Sequence, residues 1–221
     1  MSLFSKIFNY ILLTSAKYKI DASHNELHSM NVLFYANEIY QDELKRHPQL
    51  KLQEDTIFCA AALHDMVDSK YRDEKKALPE INKLIKSIYT DSPNNIQNSG
   101  RRPRPAKIIT TMGYAKVKKN GFPEFNCMYK NKAFHIVREA DLLTAYDFDR
   151  CLIYNLHHHE INKKHVNFPQ TLQIATKLFE ERTFKHHTDN LFTTNYARAN
   201  FMKLHNNAIT RIKFWNKMIK K

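Results

Sequence analysis

Glycine is nearly missing from this 221-residue chain: there are three, alongside seven prolines, one tryptophan and three cysteines. A sandwich of many short strands needs tight turns at close intervals, and those turns draw on Gly and Pro. So few of either argues against that architecture. Cys59, Cys127 and Cys151 are odd in number, widely spaced and lack a CxxC pair. That excludes a disulfide framework and fits a reducing, cytoplasmic setting. No apolar run approaches the ~18 residues of a membrane span, so no membrane partner is expected. The opening MSLFSKIFNYILL is interrupted by Asn9 and Tyr10 and is followed by no small-residue cleavage site, so it does not read as a secretion signal. Negative charge is also scarce: 22 acidic residues face 35 Lys and Arg, a formal charge of +13.

What is present builds a helical protein. Hydrophobic residues make up 43% and aromatics 12% of the chain, which is enough for a core and argues against disorder. The length suits one generous domain, 1–221. An amphipathic docking helix is expected over 3–18, with Phe4, Ile7, Phe8, Ile11 and Leu12 on one face. A second helix over 25–46 carries an apolar stripe of Leu27, Val32, Leu33, Tyr35, Ala36 and Ile39, with Ser23 as its N-cap. Residues 54–66, EDTIFCAAALHDM, are apolar nearly all round and read as a buried central helix. Further helices are expected at 77–90 and 106–112. The stretch 91–105 reads as a loop, 113–131 as irregular, and 131–156 as helical with a break near Tyr146. A polar connector follows, and a C-terminal helical pair occupies 170–221. The expected class is all-α.

The chemistry lies in ionisable residues placed on apolar segments. His64 and Asp65 end the run CAAAL, where a buried charged carboxylate needs a partner. Asp141 interrupts a second semi-apolar helix in READLLTAY. His24 and His28 are four apart and face the same way if one helix carries both. Imidazoles together with carboxylates suit a divalent transition metal. Each residue alone has a plainer role: Asp65 as a helix-end ion-pair partner, Asp141 paired with Arg138, His28 as a hydrogen-bonded core histidine. The His runs at 157–159 and 186–187 are compositional metal candidates only.

The ordered set resembles the HD-domain phosphohydrolase superfamily: a histidine early in one helix, His28 in SHNELHSMNV; an adjacent pair after a hydrophobic helix, His64 and Asp65 in AAALHDMVD; and a distant aspartate, Asp141 in READLLTAY. It is most similar to the bacterial branch with entry motif DxSHDxxH, seen here as DASHNELH at 21–28, whose members include nucleoside-triphosphate pyrophosphohydrolases. IITTMGYAKVKKNG at 108–121 and the helices of 176–215 also look like that branch. The resemblance implies an HD-type bundle with the metal site between central helices. It implies one divalent ion (manganese, nickel, iron, magnesium or zinc) on His28, His64, Asp65 and Asp141. Asp68 in HDMVDSKY is then the proton-transfer residue, and His24, Lys70 and Lys116 are candidates for holding a substrate phosphate, with Lys177 and Arg182 as surface charges. The chain departs from the branch at Asn25, Glu139, Leu142 and Thr144, where Asp, Asp, Arg and Asp are usual, which bears on substrate contacts rather than on the metal.

The expected function is metal-dependent hydrolysis of a small phosphorylated substrate, a nucleotide. The alternatives are a nucleic-acid-binding or nuclease-like protein, consistent with the positive charge and the RRPRP segment, and an inactive HD-fold interaction protein.

Overall fold

In a computed structural model, residues 2–90, 104–161 and 167–220 are described. They form ten α-helices and no strand, the all-α architecture that the scarcity of turn formers requires. Helix α1 (Leu3–Tyr18) begins where the Ser2 hydroxyl accepts from the Ser5 N–H at 3.2 Å and ends at Lys19 in the left-handed region, φ 52°. Its buried line runs through Ile7, Ile11, Thr14 and Ser15. Leu12, expected on the buried face, points outward, because burial follows a narrower stripe than the sequence suggests.

Helix α2 (Glu26–Arg46) is capped by Asn25, not Ser23: the Asn25 side chain accepts from the Leu27 N–H at 3.1 Å. Ser23 instead hydrogen-bonds backward, to Asp21. The helix buries Val32, Ala36, Ile39 and Tyr40, whereas Leu27 lies on the open side. Helix α3 (Glu54–Leu63) is enclosed beyond its first turn, with Ile57, Cys59, Ala60, Ala61, Ala62 and Leu63 buried. Its three alanines keep it slim enough for α2 and α7 to pack against it. The expected helix over 54–66 stops early: His64–Val67 tighten into a 3₁₀ turn.

After α4 (Glu74–Thr90), the expected loop at 91–105 lies mostly outside the described residues. Helix α5 (Ala106–Thr111) follows. The stretch expected to be irregular contains α6 (Tyr114–Asn120), too short to show a periodic stripe, and the start of α7 (Met128–Thr144). The anticipated break near Tyr146 falls between α7 and α8 (Phe148–Ile161). Helix α8 also takes in residues 157–161 of the polar segment expected to be a connector; residues 162–166 lie outside the described set. The C-terminal pair is α9 (Phe168–Glu181), opened by an Asn167–Gln170 capping box, and α10 (Asn195–Met218).

One apolar core joins α1–α7 with the first half of α10. A smaller one, built on Phe148, Leu152, Leu172, Phe179 and Ala208, holds α8, α9 and α10 together, and Phe184 packs against both. Each fully buried large aliphatic or aromatic side chain contributes about 1.5–3 kcal/mol. The cleft between α2, the α3 terminus, α7 and α8 is where the polar residues gather.

Candidate metal centre

The four expected ligands come from three separate stretches: His28, His64 and Asp65 bring ligand atoms within 4.8 Å of one another, and Asp141 approaches the two imidazoles. His28 projects from the first turn of α2, His64 and Asp65 from the 3₁₀ turn after α3, and Asp141 from α7. Nε2 of His28 lies 3.1 Å from Nε2 of His64, 3.3 Å from Asp65 Oδ2 and 3.5 Å from Asp141 Oδ1. Nε2 of His64 lies 3.3 Å from Asp65 Oδ1 and 3.7 Å from Asp141 Oδ1. Two ligand atoms about 2.1 Å from a common ion, at angles between octahedral and tetrahedral, stand about 3.0–3.4 Å apart. The cluster sits at or just above that spacing.

Two further observations bear on whether the residues fit a cation. Asp65 Oδ2 is buried and has no hydrogen-bond partner, an arrangement that costs free energy unless a positive group faces it. The His64 ring is fixed by its other nitrogen, Nδ1, which donates to the Ala61 carbonyl at 2.9 Å and leaves Nε2 turned toward the cluster. Two imidazoles and two carboxylates suit a divalent ion. Asp141 does not pair with Arg138: that guanidinium turns away, to Glu139 and the Leu191 carbonyl.

The electrostatics agree. Burial, and then the Arg150 guanidinium, push His28 down to about 4. Burial acts the same way on His64, but Asp65 and Asp141 outweigh it and raise that imidazole to about 9. Burial opposes ionisation of both aspartates, yet for Asp65 the charge of His64, and for Asp141 hydrogen bonding from His28, outweigh it and hold both below the usual carboxylate range. The cluster therefore holds one proton at neutral pH, on His64 and between two carboxylates. A divalent cation would displace it.

Around the cluster lies a cavity of about 420 Å³, within the range of small-molecule sites, about 300–1,000 Å³. Asp68, His24, Lys70 and Lys116 all line it. Asp68 does not continue a helix from Asp65. It caps the 3₁₀ turn in extended conformation, and its carboxylate accepts from the Lys70 N–H at 2.9 Å and pairs with Lys70 Nζ at 3.3 Å. His24 lies before α2 rather than on it, so the same-helix premise fails. It reaches the site through the turn begun at Asp21 and is held by the Ser23 hydroxyl at 2.7 Å and Tyr71 at 3.1 Å. Behind it, Asp21 also accepts from Ser23 and Tyr71. Burial raises Asp21, but hydrogen bonds from His24, Ser23 and Tyr71 outweigh it and keep it ionised. Lys116 reaches the rim with two of its three donors already used, on Glu74 at 3.2 Å and the Thr110 carbonyl at 2.8 Å.

Three residues were missed or undervalued in the sequence. Arg150, on α8, places Nη1 3.0 Å from the Ser23 carbonyl and against the His28 ring. Arg182 and Lys177 are both exposed, as expected of surface charges, but Arg182 also lines the cavity, with its guanidinium over the Tyr114 ring. His186 is buried among the rings of Tyr114, Tyr146 and Phe192, with neither ring nitrogen hydrogen-bonded. Only the position of Asp147–Arg150 after a helix break could have signalled Arg150, and spacing across a break gives no direction. Among the described residues no second group of metal-ligating side chains converges, and His187 stacks on Phe201 instead. The three cysteines are free thiols, and no described helix is long and apolar enough to cross a membrane. Compared with known proteins, the chain matches no family model, no curated protein and no solved structure.

Proposed function

We propose that this chain is a metal-dependent phosphohydrolase of the HD type, acting on a small phosphorylated substrate, a nucleotide. The observation that carries the reading is the convergence of His28, His64 and Asp65, with Asp141 approaching both imidazoles and a buried Asp65 oxygen that accepts no hydrogen bond, at the floor of a cavity rimmed by cations. A bound divalent ion supplies Lewis-acid polarisation of a phosphoryl oxygen and lowers the pKa of water.

The chain's own groups do the rest. Lys70, His24 and Arg182 present positive or donor groups toward a phosphate entering the cavity. Lys70 is steered over the Tyr154 ring, 5.2 Å from its centroid. Asp68 is held by Lys70 and lines the same space. Its carboxylate takes a proton from the attacking water as that oxygen bonds to phosphorus, and returns it to the leaving oxygen as the P–O bond breaks. The buried side chains of Ile109 and Met112 make part of the cavity wall apolar.

The test is release of phosphate or pyrophosphate from dNTPs, NTPs and mononucleotides with each of several divalent metals. Asp68→Asn should lower kcat by about 10²–10⁴ while leaving metal affinity in place. Turnover that survives in His64→Ala/Asp65→Ala refutes metal catalysis. No turnover by the wild type with any substrate or metal would favour the inactive interaction protein.

A second reading has one observation behind it. From Asn190 to Lys221 the chain carries no acidic residue, while Arg198, Lys203, Lys213, Lys217 and Lys220 lie along or just beyond α10. A nucleic-acid partner predicts binding that weakens steeply with salt; weak binding without a salt slope removes it.

A further inference from the structure

Arg150 occupies an awkward place for a cation. Its Nη1 donates to the Ser23 carbonyl at 3.0 Å and lies 3.0 Å from Nδ1 and 3.2 Å from Nε2 of His28. A point this close to both ring nitrogens lies over the face of the imidazole rather than along either in-plane lone pair, so the guanidinium is laid on the ring. A divalent ion on His28 Nε2 would then stand within a few ångströms of a unit positive charge, and the two repel.

Arg150 also has somewhere to go. It sits in the first turn of α8, where its backbone N–H is held by the Asp147 side chain at 3.1 Å, so the base of the side chain is fixed while its long arm is held at the tip, by the Ser23 carbonyl and the His28 ring. The residue lines the metal cavity together with Lys70 and Arg182. The planar fork of Arg matches two oxygens of a phosphate.

Resting on the phosphohydrolase reading above, we propose that Arg150 is a positioning residue that couples the metal to the substrate: its guanidinium yields His28 to the ion and turns into the cavity to grip the phosphate. Metal and phosphate then favour each other's binding, by the same factor in both directions. A residue that only supported α8 would have no such effect.

The experiment is calorimetric titration of the full chain with Mn²⁺, alone and with inorganic phosphate. Comparison is with Arg150→Gln, Arg150→Met and Arg150→Lys, each checked for a wild-type helical spectrum. Removing the charge should tighten Mn²⁺ binding by at least about tenfold, the size expected for one unit charge near a partly solvated ion. The same variants should show a smaller enhancement of Mn²⁺ affinity by phosphate, while Arg150→Lys stays near wild type for Mn²⁺ alone. Either neutral variant suffices if the other fails to fold. Wild-type binding of Mn²⁺ with no tightening in the folded neutral variants overturns the role of Arg150 and leaves the metal centre standing. Mn²⁺ binding that is absent, or equal in wild type and His64→Ala/Asp65→Ala, overturns both.

Discussion

Replacing Glu139 by Gln removes a charge from the place where α7, the entry to α10 and Arg138 meet. Glu139 is fully buried and accepts five hydrogen bonds: from the Thr193 N–H at 2.8 Å and hydroxyl at 2.5 Å, from the Thr194 N–H at 3.0 Å and hydroxyl at 2.7 Å, and from Arg138 Nη2 at 2.9 Å. Thr194 is also the N-cap of α10, so one carboxylate fixes both the buried guanidinium and the start of the last helix. In Gln one oxygen becomes an NH₂ donor. Either the Thr193 or the Thr194 backbone N–H then faces a donor, and Arg138 loses its counter-charge. An unsatisfied buried donor costs about 1–3 kcal/mol, and breaking a buried ion pair from one side costs about 3–5 kcal/mol. The two share one carboxylate and do not add, so the expected loss is about 4 kcal/mol. Against a total stability of about 5–15 kcal/mol that is large. In a chain of this length it lowers Tm by about 8–16 °C.

Urea unfolding followed by far-UV circular dichroism measures this loss directly. A loss below about 1 kcal/mol refutes the assignment. The double variant Glu139→Gln/Arg138→Met should regain much of the stability, because the stranded guanidinium is gone. Metal affinity well below Tm should be unchanged: Asp141 is two residues further along α7, about 200° around the helix, and faces the cavity rather than α10.

Two further outcomes follow from the protonation states. Because Asp65 and Asp141 raise His64 to about 9, a divalent ion competes with a proton there. Affinity should fall up to about tenfold per pH unit below that value, with about one proton released per ion near neutrality; calorimetry in buffers of different ionisation enthalpy checks this, and a flat profile between pH 6 and 8 contradicts it. His186 is pushed down to about 3, by burial first and then Arg182, and His135 to about 4, by burial first and then Arg138. The unfolded chain therefore binds protons that the folded one refuses, so this stability is present above about 6.5 and drains away as pH falls toward 3–4. His186→Leu should flatten that acid limb by up to about 1.4 kcal/mol per pH unit; an unchanged slope would show that His186 is not held neutral.

The sequence disclosed those parts of the fold whose cause is local or periodic. The Ala-rich run of α3 announces a helix with no open face, and the 3–18 pattern gives α1 its bounds because both ends are capped locally, by Ser2 and Lys19. The cap of α2 went to the wrong residue because Ser23 and Asn25 are both good caps, and only the engagement of Ser23 by Asp21 and His24 decides between them. Helix α6 escaped notice because seven residues give no readable period. In the site, the four candidate ligands were legible from their order. Arg150 and Arg182 were not, since a long flexible cation reaches a cavity from many sequence positions, and only the path of the backbone after the 145–147 break says which one does.

The adjacency of His64 and Asp65 is easier to understand from where α3 ends than from the ligands themselves. Here the helix stops at Leu63, and the chain tightens at His64 into a 3₁₀ turn. Ala61 belongs to the last turn of α3, where carbonyls lack the usual intrahelical partners. The His64 imidazole takes that carbonyl with Nδ1 at 2.9 Å, which satisfies the acceptor and aims Nε2 at Asp65 and Asp141 in one stroke. The alanines beside it leave room for α2 and α7 to bring in His28 and Asp141. The candidate site thus lies where the apolar half of α3 terminates, and the burial that makes its charges costly is what a shared cation would offset.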